Sequence, residues 1–594
     1  MIGLYGIVSS KTNNRNIRDG FDLMSEDINT DDFHNEIYLG DHFAIGITLR
    51  NSKKNNDLSL RKINNEYLIG FCGYGRFLGE AKLSWSDEMI ERLIPFVSMG
   101  EYDKLKLIEG SFSCFIFHKE TIIIVSDRIG SKNFYYYDMD DFIVFAPDVG
   151  RIISSNVIIK KKNNAALNEV LAANFFIEDD TLIQDIKRFP YASILIKSIQ
   201  VPQKNDLKKY WNFPAEEGRI ETLSIDLIKE FENKFKIAVY ELLDLSSNAV
   251  LPLSGGLDSR AIACFIAENQ IINVINYSTG DEYKLAKKVC NILGGNFYRI
   301  SNEMLSSDYF KNSLTGLIED QKSHCVLNQY FYTPFFKRYF SENSGHDAIF
   351  DGIYLDILFS AAFTYPEFSY AKFSNVYCSG TWMIEKYLPN LNIKKLQAHL
   401  FQKYQDIVNA FNSDNGVCLS QLFYVLGRLR RYVNESPSAR ENYCYVLKPA
   451  FNYDLMDFGF SLSLKLRKGI LYRNMLQECF PKVMSVRYKD SYGNRSKTLF
   501  EKIESLYLKF RFELSVATQG MIKDLSLQPA YYFFGKKGLD EILSRTSMTQ
   551  NQLGDIFDEQ SLLKLYKAPY KKQYMFNFLE RVLFIQHFFS KYNI

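Results

Sequence analysis

The sequence predicts two fold classes in one chain: an α+β region of stacked antiparallel sheets over residues 1–210, and an α/β region with a parallel sheet over residues 211–594, mainly helical after about residue 365. Three observations predict this. Short β-branched and aromatic runs crowd the first part of the chain. Strand and helix signals alternate after the segment "LKKYWNFP". One strand-to-helix junction reads Ser-Gly-Gly-Leu-Asp-Ser.

Taken in order, "HFAIGITL", "EYLIGFCGYG", "SFSCFIFH", "TIIIVSD", "NFYYYD", "DFIVFAP" and "ASILIKSI" read as strands bounded by turn residues. "SDEMIERLIPFVSMG" reads as a helix between them. "IDLIKEFENKFKIAVYELLD" then predicts a long amphipathic helix leading into the strand "NAVLPLS". "INVINYST" is the next strand. "DEYKLAKKVCNILGG" is a helix with Leu285, Val289, Ile292 and Leu293 on one face and Gly294-Gly295 as its stop. "NFYRIS" and "DAIFDGI" follow as strands, an alternation that belongs to a parallel sheet wrapped by helices.

Composition narrows the function classes. The 594 residues exceed what one core supports; they are 46% hydrophobic and 24% charged, an ordinary globular balance. A net charge of +2 gives no global field for nucleic acid or an anionic membrane. The aromatic share of 15% is scattered, which favours core filling over a base-stacking surface. Nine widely spaced cysteines include no C-x-x-C pair, so neither a zinc site nor a disulfide framework is expected. They read as the reduced thiols of a cytoplasmic protein. The opening "MIGLYGIVSS" lacks the pattern of a secretion signal, and no apolar run is long enough to span a membrane.

The Gly-Gly junction is the segment with chemistry. A buried strand turning sharply into a helix presents backbone N–H groups at the positive end of the helix dipole, a phosphate-binding arrangement. Gly255 and Gly256 let the backbone approach phosphate oxygens, Ser254 and Ser259 supply hydroxyls, and Asp258 can hold a magnesium ion. The kinase-type G-x-x-x-x-G-K-[ST] loop is absent, which disfavours γ-phosphoryl transfer.

This loop resembles that of the ATP pyrophosphatases, which hold the β,γ-pyrophosphate and break ATP at the α-phosphate. Further segments resemble the asparagine synthetase-like superfamily, which includes β-lactam synthetases and lasso-peptide macrolactam synthetases. They are "LIEGSFSCFIF" with "IIIVSDRIGSKNFYYYDMDDFIVFAPDVGRII", then "IKRFPYASILI", "KKYW", "FDGIYLDILF", "KPAFNYDLMDFGF" and "VRYKDSYG". The resemblance implies an Ntn-hydrolase-like, glutaminase-like amino-terminal domain and a carboxy-terminal synthetase domain of the ATP pyrophosphatase type. It implies that ATP is held by Leu253, Ser254, Gly255, Gly256, Leu257, Asp258 and Ser259. Tyr277, Ser278 and Gly280 would pack adenine and ribose, with Gly352 and Tyr354 in a second ATP-site loop. Asp258 and Asp356 would bridge Mg2+ to the phosphates. Lys489 and Arg487 would be catalytic, Lys489 placing a cation at the α-phosphate.

Departures from the family pattern shape the expected reaction. Glutamine-hydrolysing members begin Met-Cys-Gly; this chain reads Met1-Ile2-Gly3 and lacks the glutamine-clamping stretch. At the oxyanion Asn-Gly position it has Cys72-Gly73, with Cys72 expected to be a packed thiol. Asp351-Gly352-Ile353-Tyr354-Leu355-Asp356 puts bulk where small residues are usual, Tyr445 stands where many relatives have a glutamate, and Glu435 and Glu441 are nearby candidates for the base that the family's amine step uses. The expectation is a synthetase that adenylates a carboxylate, releasing pyrophosphate, and passes it to an amine whose source is not glutamine. The leading reading is lactam closure of a peptide, with a precursor peptide or protease as partner; the alternatives are amidation of a small molecule or sugar acid, or a non-catalytic scaffold.

Overall fold

The computed structural model describes residues 1–11, 15–26, 31–51, 55–64, 66–139, 141–200, 205–214, 219–277, 282–299, 333–360, 370, 373–374, 392–410, 419–488 and 573–594. Two antiparallel sheets dominate its first part. One contains β1 (Gly3–Ser9), β2 (Phe33–Leu39), β3 (Phe43–Arg50), β9 (Tyr135–Asp138), β10 (Phe142–Ala146) and β11 (Ile186–Arg188), in the order β11-β9-β10-β1-β3-β2. The other contains β4 (Leu58–Ile63), β5 (Tyr67–Phe77), β7 (Ile108–His118), β8 (Thr121–Ser126), β12 (Ser193–Ser198) and β13 (Asn205–Lys209), in the order β13-β12-β8-β7-β5-β4. The short β6 (Ser84–Trp85) pairs with β5.

Side-chain alternation places each layer. Leu4, Val8, Ile45, Leu68, Phe115, Ile124 and Phe145 meet between the sheets. The alternate residues Ile69, Phe71, Phe112 and Ile116 instead pack on α2 (Ser86–Ser98) through Met89, Ile90, Leu93 and Val97. Tyr5, Ile7 and Val144 face the opposite way, toward Phe21 and Met24 of α1 (Arg15–Ser25) and Ile152 and Ile153 of α3 (Val149–Ser154). Leu167 and Val170 of α4 (Asn164–Ala173) join the same cluster. The result is helix, sheet, sheet, helix. Every sequence-predicted strand of this region is present. β1, β2, β4, β6, β11 and β13 are additions, being short, edge-placed or too irregular in pattern to read.

The long helix α5 (Ile225–Leu245) starts at Ser224, whose hydroxyl accepts from the Leu227 N–H. It leads into a five-stranded, wholly parallel sheet: β14 (Ala249–Pro252), β15 (Asn273–Asn276), β16 (Asn296–Arg299), β17 (Ala348–Phe350) and β18 (Tyr445–Leu447). Their order is β16-β15-β14-β17-β18, so the chain leaves β14 to one side and later returns on the other. In such sheets ligands bind outside the carboxyl ends of the strands at this switch point. The helices α6 (Leu257–Asn269) and α7 (Glu282–Ile292) follow β14 and β15. Gly294, at φ 69°, ends the α7 segment as expected. The α7 face holds at Val289 and, half-buried, at Leu285 and Leu293; Ala286 and Cys290 complete it, while Ile292 is exposed. Helices prevail among the described residues beyond 365, but β18 is a strand there. Its three residues are too few to show a period.

Candidate active site

The carboxyl end of β14 becomes the amino end of α6 within four residues. Gly256, extended at φ −82°, ψ 178°, occupies the N-cap position without a side-chain cap. Ser254 is exposed and its Oγ lies 2.8 Å from Ser259 Oγ; it also accepts from the Gly256 N–H at 3.1 Å. A Cβ on Gly256 would meet only Ser254 Oγ, at 3.4 Å, so one side of the turn is open. The serine hydroxyls therefore shape the turn while remaining on its open side. Leu253 is buried below it, donating its N–H to the Ile275 carbonyl at 3.2 Å, and Leu257 packs against the core.

Asp258, on the first turn of α6, faces the loop after β17. A Cβ on Gly352 would come 3.8 Å from the Asp258 Cβ, which shows how closely the two segments approach. The Tyr472 and Ser360 side chains favour the ionised Asp258 carboxylate, yet its Oδ1 is buried with no hydrogen-bond partner. Burial, then the neighbouring Asp356, push the Asp258 carboxyl up to about 7. Burial likewise pushes Asp356 up to about 6, although its Oδ1 accepts from the Ile357 N–H at 2.9 Å. Two adjacent carboxylates with an orphaned oxygen form an environment short of positive charge. A divalent cation fits it, because Mg2+ uses one or two carboxylates and completes its shell with phosphate oxygens and water. Among the described residues no group of three or more metal-type side chains occurs.

Three buried side chains that the sequence did not reveal hold this geometry. Arg467 donates to the carbonyls of Ile357 and Leu358, and Gln421 to that of Ile357 at 2.8 Å, fixing the short helix Leu355–Phe359 that contains Asp356. Arg260, inside the helix that begins with the loop, donates to the carbonyls of Val483 (3.1 Å), Val486 (2.7 Å) and Arg487 (3.1 Å). It tethers the Arg487 segment beside α6. A signal for Arg260 does exist in the sequence, since an arginine on a largely apolar helix needs acceptors. Arg487 itself is exposed. Tyr277, at the end of β15, packs on Phe336 with centroids 5.5 Å apart. Ser278, Gly280 and Lys489 lie outside the described residues. The bulk of the Gly352 loop turns away from its open side: Ile353 and Tyr354 are buried. Glu435, with Asn133 and Arg188, and Glu441 sit farther back, against the antiparallel sheets.

A cleft opens beside β1 and β5. Ile2, Gly3, Cys72, Ser113, Lys132 and Glu441 are among its lining residues. Burial pushes the Cys72 thiol up to about 12, so it stays protonated. The Gly73 N–H is already given to the Asp57 carbonyl at 2.7 Å. At φ 114°, with Ser111 O only 2.0 Å from where a Cβ would stand, position 73 admits glycine alone.

The glutamine amidotransferase domain family model matches residues 84–211. The chain is 26% identical over 193 residues to glutamine-hydrolysing asparagine synthetase 2 of Bacillus subtilis strain 168. That match covers 29% of this chain and 25% of the relative. The chain is asparagine synthetase-like, with an amino-terminal glutamine amidotransferase-like domain. Among solved structures, the B. subtilis glutamine phosphoribosylpyrophosphate amidotransferase complexed with ADP and GMP gives a TM-score of 0.24 at 13% identity, covering 46% of this chain and 64% of that one. A structure titled as the allosteric regulatory enzyme of purine biosynthesis gives 0.24 at 10%, covering 50% and 80%.

The amidotransferase-like domain is bound to the parallel-sheet region through buried charge. Arg50 forms a two-pronged pair with Asp57 (2.9 and 2.8 Å) and donates to the Glu441 carbonyl. Lys132 and Lys448 both approach Glu441 Oε1, at 2.8 and 3.5 Å, which with burial opposed holds that carboxyl below the ordinary glutamate value. Arg188 and Glu435 pair at 3.6 Å, Arg430 and Asp179 at 2.6 Å. The Tyr74 hydroxyl takes the Lys448 N–H (3.1 Å) and faces its carbonyl (3.4 Å). Each ion pair satisfies a group that would otherwise be buried and charged, so the interface tolerates little rearrangement.

Proposed function

We propose that this protein is an ATP-dependent, amide-forming ligase that adenylates a substrate carboxylate. The observation behind this reading is the Asp258–Asp356 pair beside the open Ser-Gly-Gly turn, at the switch point of a parallel sheet. Mg2+ held by the pair would neutralise charge on the ATP phosphates. The α6 amino end and the Ser254 and Ser259 hydroxyls would orient the pyrophosphate portion. A substrate carboxylate oxygen attacks the α-phosphorus and pyrophosphate leaves. An amine then attacks the activated carbonyl, releasing AMP and a proton and leaving an amide. Lys489 and Arg487 are the cations we assign to the charge that develops at the α-phosphate and the carbonyl.

The amine is not made from glutamine in this reading. A protonated Cys72 and a Gly73 N–H already engaged support that assignment. Closure of a peptide onto its own amine is the route we favour, with free ammonia or a second small molecule as the other. Incubation with ATP, magnesium and candidate carboxylates, following AMP and pyrophosphate, tests the class. Formation of ADP would exclude adenylation.

A further inference from the structure

Tyr354 concentrates two unfavourable features in one residue. Its backbone is left-handed, at φ 73°, ψ −17°, a conformation rare for a bulky side chain. Its hydroxyl is buried and makes no hydrogen bond. Glycine would relieve the first and phenylalanine the second. The residue stands between Gly352, whose bare face abuts Asp258, and Asp356, as the N-cap of the helix containing Asp356. Its ring is 3% exposed and lies edge-on to Phe451, with centroids 5.4 Å apart and planes at 84°. Charges from both regions act on its hydroxyl, Arg188 and Asp127 in the amidotransferase-like domain and Arg430 and Asp356 in the other. Phe451 is held from the amidotransferase-like side. The Lys448 ammonium lies 5.5 Å from its ring, Lys448 pairs with Glu441, Glu441 with Lys132, and Tyr74 grips the Lys448 backbone.

We propose that Tyr354 is a positioning residue through which the amidotransferase-like domain sets the Asp258–Asp356 pair. The domain thereby becomes a structural part of the metal site. This rests on the reading that the pair holds magnesium with ATP. A left-handed residue fixes the direction in which the following helix leaves the loop. The Tyr354 ring packs on Phe451 and Phe451 on Lys448, which Tyr74 and the Glu441–Lys132 pair tie to the amidotransferase-like domain, so that direction depends on the other domain.

The test uses the full chain and calorimetric titration with Mg·ATP, and with Mn2+ alone, alongside thermal melts with and without metal. Tyr354→Phe keeps the ring anchor and should bind within about twofold of wild type. Tyr354→Gly keeps the backbone direction accessible but loses the anchor, and should weaken Mg·ATP and Mn2+ binding about tenfold or more, as disturbed supports of metal ligands do. It should also lose the metal-dependent rise in melting temperature, which a purely structural role would leave intact. Wild-type affinity in Tyr354→Gly overturns the proposal. Should that variant not fold, Tyr74→Phe, which frees the Lys448 backbone from the far side, takes its place; unchanged affinity there overturns it equally. Absence of Mg·ATP binding in the wild type would instead overturn the site reading itself.

Discussion

Asp258 and Asp356 titrate above the ordinary carboxylate value in the folded protein. Between about pH 4 and pH 7 the folded state therefore holds more protons than the unfolded chain, and the pair's contribution to stability falls as pH rises across that window. Metal binding must displace those protons, so magnesium should stabilise the protein more at pH 7.5 than at pH 5.5. Melting temperatures with and without magnesium at the two pH values check this, and Asp258→Asn should remove most of the difference. Cys72 gives a second prediction at the same scale. A thiol raised to about 12 is nearly all protonated at pH 8, so iodoacetamide should label Cys72 only after denaturation. Peptide mapping by mass spectrometry reads this directly. The Gly-Gly turn with Asp258 was legible because its chemistry sits in consecutive residues, whereas Asp356, nearly a hundred positions on, was expected only through the family resemblance. That Cys72 is a packed thiol was also legible, whereas the engagement of the Gly73 N–H required knowing where the Asp57 carbonyl lies.

At the scale of elements, the loop, α6 and the Arg487 segment form one unit because Arg260 joins them. Arg260→Met keeps much of the packing but leaves three carbonyls without their donor. It should cost about 2–4 kcal/mol in urea denaturation, since unmade buried hydrogen bonds are expensive. Most strands were readable from β-branched and aromatic runs bounded by turns. β18 was not, because three buried residues inside a helical neighbourhood have no periodicity of their own; it is a strand because its backbone completes the ladder beside β17. The face of α7 differs from its sequence pattern at Ile292 for a related reason. Periodicity finds an apolar stripe, but only the neighbouring strands decide how wide a stripe is covered.

Across the whole molecule, one apolar cluster runs from Tyr5 and Ile7 near the first sheet to Leu251 and Tyr472 around the parallel one. The buried ion pairs at Glu441, Glu435 and Arg430 accompany it. The two regions should therefore unfold together. Scanning calorimetry should give a single dominant transition, and two well-separated transitions would contradict a shared core. Salt at moderate concentration should shift it little, because these pairs are shielded from solvent.

What the sequence determined by itself was local: which runs become strands, where a glycine pair turns a strand into a helix, and that Asp258 stands beside that turn. Those features depend on residues a few positions apart, whose preferences survive in any context. The tertiary structure alone decided that Arg260, Arg467 and Tyr354 hold the site, and that the amidotransferase-like domain stands behind it. Such roles depend on partners tens to hundreds of residues away, and a buried arginine or a left-handed tyrosine acquires meaning only when the groups that surround it are in place.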